Sequence, residues 1–71
     1  MEINSNTQFF IVEQNELNNN YMVHSKCNQL VQCFALKTKK NATELKDALN
    51  KKAYEDFVKL GLKPESLTWR K

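Results

Sequence analysis

The sequence predicts an α+β domain in which a small antiparallel sheet packs against one main amphipathic helix, in the order β-β-β-α-β. Two observations carry this prediction. Short runs rich in aromatic and β-branched residues occupy the first half of the chain, and an apolar stripe at helical spacing occupies the second half. At 71 residues the chain has room for one domain, residues 1–71. The polar residues 1–7 are expected to be loose.

The first two strands are expected at Gln8–Glu13 and Tyr21–Ser25. The first run contains Phe-Phe-Ile-Val, and alternate residues of the second would share one face of a sheet. Between them lies the asparagine-rich segment 15–20, and asparagine favours turns because it tolerates a left-handed backbone. Two such runs joined by a polar turn predict an antiparallel hairpin.

Residues 26–38 fit two structures. As a helix, the segment would gather apolar residues on one face: Cys27, Leu30, Val31 and Phe34. As a strand, the run Leu30–Lys37 is short, dense and rich in residues that favour a pleated surface. The strand is preferred, because an isolated hairpin is only marginally stable and a third strand would complete the sheet.

The clearest helix begins near Asn41, which can cap it, and Glu44 three residues later completes a capping-box-like pattern. Apolar residues then recur at helical spacing along one face: Ala42, Leu45, Leu49, Ala53, Phe57 and Leu60. Gly61 is well placed as the helix stop, since glycine adopts the left-handed conformation that ends many helices. Residues 50–52, Asn-Lys-Lys, could instead separate two shorter helices.

Residues 62–71 leave two alternatives. Pro64–Ser66 could open a helical turn, because proline suits the first position of a helix. Leu67 and Trp69 could instead alternate on a final strand that returns to the sheet. The strand is preferred, since it would complete the β-β-β-α-β order.

Composition favours a cytoplasmic protein. The first residues show no basic region followed by an apolar run, so no signal peptide is expected. The longest apolar stretch, Phe9–Val12, is far too short to cross a bilayer, and no membrane partner is expected. Two cysteines are fewer than a small secreted scaffold would carry. The abundance of Lys, Asn, Phe and Tyr hints at AT-rich codons, as in a low-GC bacterium, a phage or a plasmid.

The charge of the chain is concentrated in its second half. The net charge is +3, and residues 36–71 hold ten Lys/Arg against five Asp/Glu. A basic surface attracts nucleic acid, an anionic membrane or an acidic protein surface, and it excludes a DNA mimic, which must be acidic. The candidate binding residues are six basic side chains: Lys37, Lys39, Lys40, Lys51, Lys52 and Arg70.

His24, Cys27 and Cys33 have the spacing H-x2-C-x5-C and are ligand types that zinc prefers. A structural zinc site uses four ligands, and the sequence contains no further Cys or His, so we expect no metal and no other cofactor. Cysteine and histidine are also the minimum for a cysteine hydrolase. A chain with one glycine offers no phosphate loop and little material for a cleft, so we expect no catalytic residues and no enzyme activity.

A small basic nucleic-acid-binding regulator is one of the two functions that remain. The segment Phe57–Leu67 resembles a helix-turn-helix in having glycine in the turn and an apolar residue six positions later. Asp56, however, stands where an apolar residue is usual in that motif. Aromatic residues interleaved with basic ones, typical of single-strand binders, occur only at Trp69-Arg70.

The sequence therefore favours the other function, a non-enzymatic protein-binding module that docks on and modulates a larger host protein. Lys37, Lys39 and Lys40 form a dense basic segment that suits an acidic protein patch. The edge strands of so small a sheet could also pair two copies into a homodimer. Tyr54 and Trp69 are large enough to anchor an interface, although core packing is preferred for Trp69.

Overall fold

The computed structural model describes residues 3–30 and 32–70. Three strands form an antiparallel sheet in the order β1-β2-β3: β1 (Phe10–Gln14), β2 (Tyr21–Ser25) and β3 (Cys33–Leu36). One long helix, α1 (Lys39–Lys59), follows and packs against the sheet. This arrangement confirms the predicted α+β class.

β1 and β2 form the predicted hairpin. Across the turn between them, the backbone N–H of Asn15 donates to the carbonyl oxygen of Asn20 at 2.7 Å. Inside the turn Asn19 has a φ of 59°, the left-handed conformation that asparagine tolerates better than most residues. The asparagine-rich segment therefore makes the turn that its composition predicts.

The ambiguous segment contains a strand, as preferred from the sequence. β3 spans Cys33–Leu36 and pairs with β2 in an unbroken antiparallel register. It is shorter than the predicted run Leu30–Lys37, because the N–H of Leu30 closes a turn on the carbonyl oxygen of Cys27 at 3.1 Å. Val31, which belongs to the predicted run, lies outside the described residues.

The helix begins earlier than the sequence predicted. Thr38 is the N-cap: its backbone is extended and its Oγ1 accepts a hydrogen bond from the N–H of Asn41 at 3.2 Å. The predicted cap at Asn41 and its capping box with Glu44 are therefore wrong. Thr38 satisfies one of the free N–H groups at the helix start, and Lys39 and Lys40 become the first helical residues instead of a loop.

α1 continues through residues 50–52, so the alternative of two shorter helices is wrong. Asn50 is only 8% exposed and faces the start of β1. Its Oδ1 accepts from the backbone N–H of Phe10 at 2.6 Å, and its Nδ2 donates to the carbonyl oxygen of Phe10 at 3.2 Å. The side-chain amide thus pairs with one residue of the strand as a neighbouring strand would.

The core lies between α1 and the sheet. Its buried hydrophobic residues are Phe9, Phe10, Val23, Cys27 and Ala42. Ala42 is the first residue of the predicted helical stripe. The three stripe residues that follow it are half-buried and pack around this core: Leu45, Leu49 and Ala53. Leu60 departs from the prediction, because it is 70% exposed at the C-cap of the helix.

Tyr54 and Trp69 both pack against the core. The rings of Phe9 and Trp69 are tilted against each other, with centroids 5.7 Å apart. Such a tilted pair adds an aromatic contact to the area that both rings bury. Core packing, preferred for Trp69 from the sequence, is confirmed.

The tail after α1 contains a short version of each predicted alternative, the helical turn and the strand. Pro64–Ser66 forms a single 3-10 turn, and Trp69 makes an isolated antiparallel bridge with Cys27. The predicted final strand is therefore wrong, because the proline turn leaves too few residues for a ladder. The sheet has three strands in residues 3–30 and 32–70, and the 3-10 turn is too short to serve as a helix-turn-helix recognition helix.

The helix ends at Gly61, as predicted. Gly61 has a φ of 65°, and its N–H donates to the carbonyl oxygen of Val58 at 3.1 Å. The N–H of Leu62 donates to the carbonyl oxygen of Phe57 at 3.2 Å. These two hydrogen bonds make a Schellman motif, which requires the left-handed conformation at the glycine.

Replacing Gly61 with alanine should therefore lower the free energy of unfolding by about 1–2 kcal/mol, the energy of a left-handed backbone for a residue with a Cβ. A Cβ at this position would meet no atom within 4 Å, so no steric clash adds to the loss. Denaturant unfolding of both proteins measures the difference. Asparagine at position 61 should fall between the two, and equal stability of all three would contradict the motif.

Candidate protein-docking surface

α1 covers only one face of the sheet. Val12, Tyr21 and Leu36 share that face with the buried Phe10 and Val23, and all five pack in or around the core. The open face, defined as the opposite one, carries the intervening residues of the three strands: Ile11, Glu13, Met22, His24, Cys33 and Ala35. No other described helix or strand contacts the sheet there.

The open face has the character of an ordinary half-apolar protein surface. Ile11 and Met22 are half-buried on it, and Nε2 of His24 lies 3.3 Å from Oε1 of Glu13, without hydrogen-bond geometry. None of its residues is Phe, Tyr or Trp. It therefore offers no aromatic platform on which nucleic-acid bases could stack.

His24, Cys27 and Cys33 border one shallow hollow but have different environments. His24 and Cys33 are cross-strand neighbours, whereas Cys27 is 1% exposed and its Sγ donates to Oε1 of Gln29 at 3.2 Å. Among the described residues, no group of three His, Cys, Asp or Glu side chains is arranged to hold a metal ion. Cys27 is a packed core residue with a satisfied thiol.

The structure does not gather the six predicted basic residues into one patch. Lys51 and Lys52 are exposed in the middle of α1. Arg70 lies beside the end of β2, where its guanidinium Nη1 donates to the carbonyl oxygen of Ser25 at 3.4 Å. The other three lie within four consecutive positions at the opposite end of the sheet. We call these side chains the basic rim: Lys37, Lys39 and Lys40.

The basic rim is placed where it does not stabilise the fold. All three side chains are exposed, and none takes part in an ion pair between described residues. Lys39 and Lys40 stand in the first turn of α1, which contains no acidic residue. A cation at a helix N-terminus opposes the helix dipole, typically by about 0.3–1 kcal/mol. The rim therefore concentrates positive charge at the end of β3 without internal compensation.

β3 is an edge strand, and no other described strand pairs with its outer side. The N–H of Ser25 donates to the carbonyl oxygen of Gln32 at 3.4 Å, which fixes the phase of the β2–β3 ladder. Alternate residues of an antiparallel strand direct their backbone groups to opposite sides. The N–H and C=O groups of Cys33 and Ala35 therefore point away from β2, and we call this backbone the β3 edge.

The other edge of the sheet is partly closed. The N–H of Lys26 donates to the carbonyl oxygen of Phe9 at 2.9 Å, so the backbone groups of Phe10 point away from β2. Asn50 occupies both of these groups. One local signal of this contact was present in the sequence, a polar residue on the border of the apolar stripe, but nothing there identified its partner.

A hollow of about 320 Å³ lies between α1 and the chain that leads into β3. Residues of both elements line it, including Leu30, Gln32, Leu49 and Lys52. Phe34, in the middle of β3 on the helix-covered face, is 37% exposed. The helix therefore leaves part of β3 uncovered, which sequence reasoning missed.

A second, more apolar hollow of about 240 Å³ lies at the C-terminal end of α1. Phe57, Leu60, Leu62 and Leu67 contribute to its lining, and Leu60 and Leu62 are exposed at 70% and 43%. Leucine and phenylalanine side chains make up most of its lining, beside Gln29 and Asp56, so it could take an apolar group.

Comparisons with known protein families, curated proteins and solved structures find no match to this chain. In the part of the chain that the structure describes, no helix is both long enough and apolar enough to cross a membrane.

Proposed function

We propose that this chain is a non-enzymatic protein-binding module that docks on an acidic surface of a larger protein through the basic rim. The observation that carries the proposal is the position of Lys37, Lys39 and Lys40. They stand together beside an unpaired sheet edge, and two of them weaken the helix that they begin. Functional surfaces often lower the stability of a fold. Lysines that lower the stability of α1 are therefore best explained by an anionic binding partner.

Protein is preferred over nucleic acid as that partner for two reasons. The six basic residues lie in three separate places, so they do not follow one continuous phosphate backbone. The open face lacks aromatic side chains and carries Glu13. A short basic cluster beside a sheet edge suits an acidic protein surface, where it speeds association by electrostatic attraction.

We place the module in a cytoplasm. The support for this compartment is that Cys27 and Cys33 are both free thiols and that Cys27 is buried in the core. Small secreted domains normally use their cysteines in disulfides, whereas cytoplasmic proteins keep them reduced.

Changing Lys37, Lys39 and Lys40 together to glutamate should weaken binding without lowering the stability of the fold. The variant should be at least as stable as the wild type, because acidic residues in the first turn of α1 favour the helix dipole by about 0.3–1 kcal/mol each. Its association with an acidic probe, a fluorescent oligoglutamate peptide, should slow by about tenfold or more at low salt. Thermal melting and stopped-flow fluorescence measure the two effects.

A matched control changes Lys51, Lys59 and Lys63 to glutamate, which alters the net charge equally but away from the rim. Lys59 lies in the last turn of α1, where a cation is favourable, so this control should lose a little stability and keep most of the binding rate. Equal loss of binding in both triple variants would contradict a local docking site. Tight, salt-sensitive binding of the wild type to DNA or RNA, abolished by the rim variant, would make the chain a nucleic-acid regulator instead.

A further inference from the structure

We propose that the acidic segment bound at the rim is an extended peptide that adds to the sheet as a fourth strand, antiparallel to β3. This inference rests on the proposed function and specifies how the partner binds. An added strand would take up the N–H and C=O groups of Cys33 and Ala35, which point away from β2. Strand addition obtains affinity from main-chain hydrogen bonds and specificity from alternate side chains.

β3 is short, which limits edge pairing, but it has none of the other features with which natural proteins protect an edge strand. Its four residues, Cys33–Leu36, include no proline and no charged side chain, and the register to β2 contains no bulge. The first three of them are exposed. On β1, by contrast, the amide of Asn50 occupies the outward backbone groups of Phe10. The two edges are therefore unequal, and β3 is the one that can accept a strand along its length.

Both faces of the added strand would find neighbours. Side chains directed to the helix side would lie next to Phe34, which is 37% exposed. Gln32, two residues before Phe34, lines the hollow of about 320 Å³ between α1 and the approach to β3. A β-branched residue suits this position, because it packs against an aromatic residue across strands. Side chains on the other side would continue the open face beside Cys33 and Ala35.

Charge complementarity selects the occupant and its direction. The segment Cys33–Lys40 contains three lysines and no acidic residue, so a second copy of this chain would bring the same positive charge to the edge. A peptide antiparallel to β3 begins opposite the C-terminal end of β3, where the basic rim lies. Its acidic residues should therefore precede its strand-forming residues.

The first test uses peptides with the intact wild-type protein. The probe is a fluorescent peptide in which a glutamate block precedes alternating valine and threonine. Four relatives have the same net charge: one with the block after the strand, one with proline at two consecutive strand positions, and a pair with backbone N-methyl groups on either set of alternate residues. We expect about tenfold weaker binding for the first two, since strand hydrogen bonds or the ion pairs are lost.

The N-methylated pair gives the sharpest result, because a strand presents only alternate N–H groups to its neighbour. One member should bind about tenfold more weakly and the other like the parent peptide. Equal binding by both members, or by the proline peptide and its parent, would overturn strand addition. Tighter binding of the reversed peptide would overturn the antiparallel direction.

The second test changes the protein. Ala35→Pro removes an N–H that points away from β2, a place where an edge strand accepts proline, and Ala35→Thr keeps that N–H as a matched control. The proline variant should bind the parent peptide about tenfold more weakly than the threonine variant. Unchanged chemical shifts away from β3 verify that both variants fold.

The failures of the two proposals are distinguishable. If the Lys37, Lys39 and Lys40 variant loses binding while Ala35→Pro and the N-methylated peptides do not, docking at the rim stands and strand addition is wrong. If the rim variant binds like the wild type, the proposed function is wrong. A wild-type dimer in sedimentation that Ala35→Pro dissociates would show that a second copy takes the edge.

Discussion

Replacing Phe10 with alanine should lower the free energy of unfolding by about 3–5 kcal/mol, the range for removing a buried phenylalanine. Phe10 is 2% exposed and lies at the start of β1, against the helix. A domain of this size has a total stability of roughly 4–10 kcal/mol. We therefore expect Phe10→Ala to lose a large share of this stability, measured as a lower midpoint of urea denaturation followed by circular dichroism.

Phe57→Ala is the matched control for this substitution. Phe57 was predicted on the apolar stripe of the helix, but it is half-buried and lines the open hollow at the end of α1. Less packing is lost there and water can enter the space, so the loss should be about 1–2 kcal/mol. Equal losses in the two variants would contradict the position of the core between Phe10 and the helix.

Replacing Asn50 should produce the second large effect. In Asn50→Ala, both the N–H and the carbonyl group of Phe10 lose their partner in a buried site, which should lower the free energy of unfolding by about 2–3 kcal/mol. Asn50→Asp should be at least as unstable at neutral pH. Its carboxylate can accept from the N–H of Phe10 but cannot donate to the carbonyl oxygen, and it buries a charge.

Asn41→Ala is the control for the loss of an asparagine side chain from α1. Asn41 is exposed, and its side chain makes no hydrogen bond to another described residue, so its replacement should change stability by less than about 0.5 kcal/mol. Denaturant melts of the three variants measure the contrast. If Asn50→Ala were as stable as Asn41→Ala, water would be replacing the amide, and the contact with Phe10 would not fasten β1 to the helix.

The parts of the fold that depend on local chemistry could be predicted from the sequence. The turn at 15–20 follows from asparagine, and the helix end follows from the left-handed freedom of Gly61. The helix start could not be predicted in the same way. Thr38 and Asn41 are both good N-cap residues, and the choice between them depends on where the chain leaves β3. Nothing in the neighbouring residues encodes that position.

The candidate site was only partly predictable for a similar reason. Composition identified six basic residues, but only the fold shows that Lys37, Lys39 and Lys40 stand together while Arg70 lies at the other end of the sheet. The free backbone groups of Cys33 and Ala35 depend on the phase of the β2–β3 ladder. A shift of one residue would turn these groups inward and would move every side chain of β3 to the other face. The residues Cys33–Leu36 are apolar on both faces, so their pattern does not choose between the two phases.

The contact between Asn50 and Phe10 also has a consequence for the order of events in folding. The two residues are 40 positions apart, so β1 cannot complete its hydrogen bonds when the hairpin first closes. Hairpins and helices form within microseconds, whereas pairing of distant segments is slower because a long loop must close. We therefore expect docking of α1 on the hairpin to be the late, cooperative step. The amide proton of Phe10 should exchange with deuterium only in openings that separate the helix from the sheet.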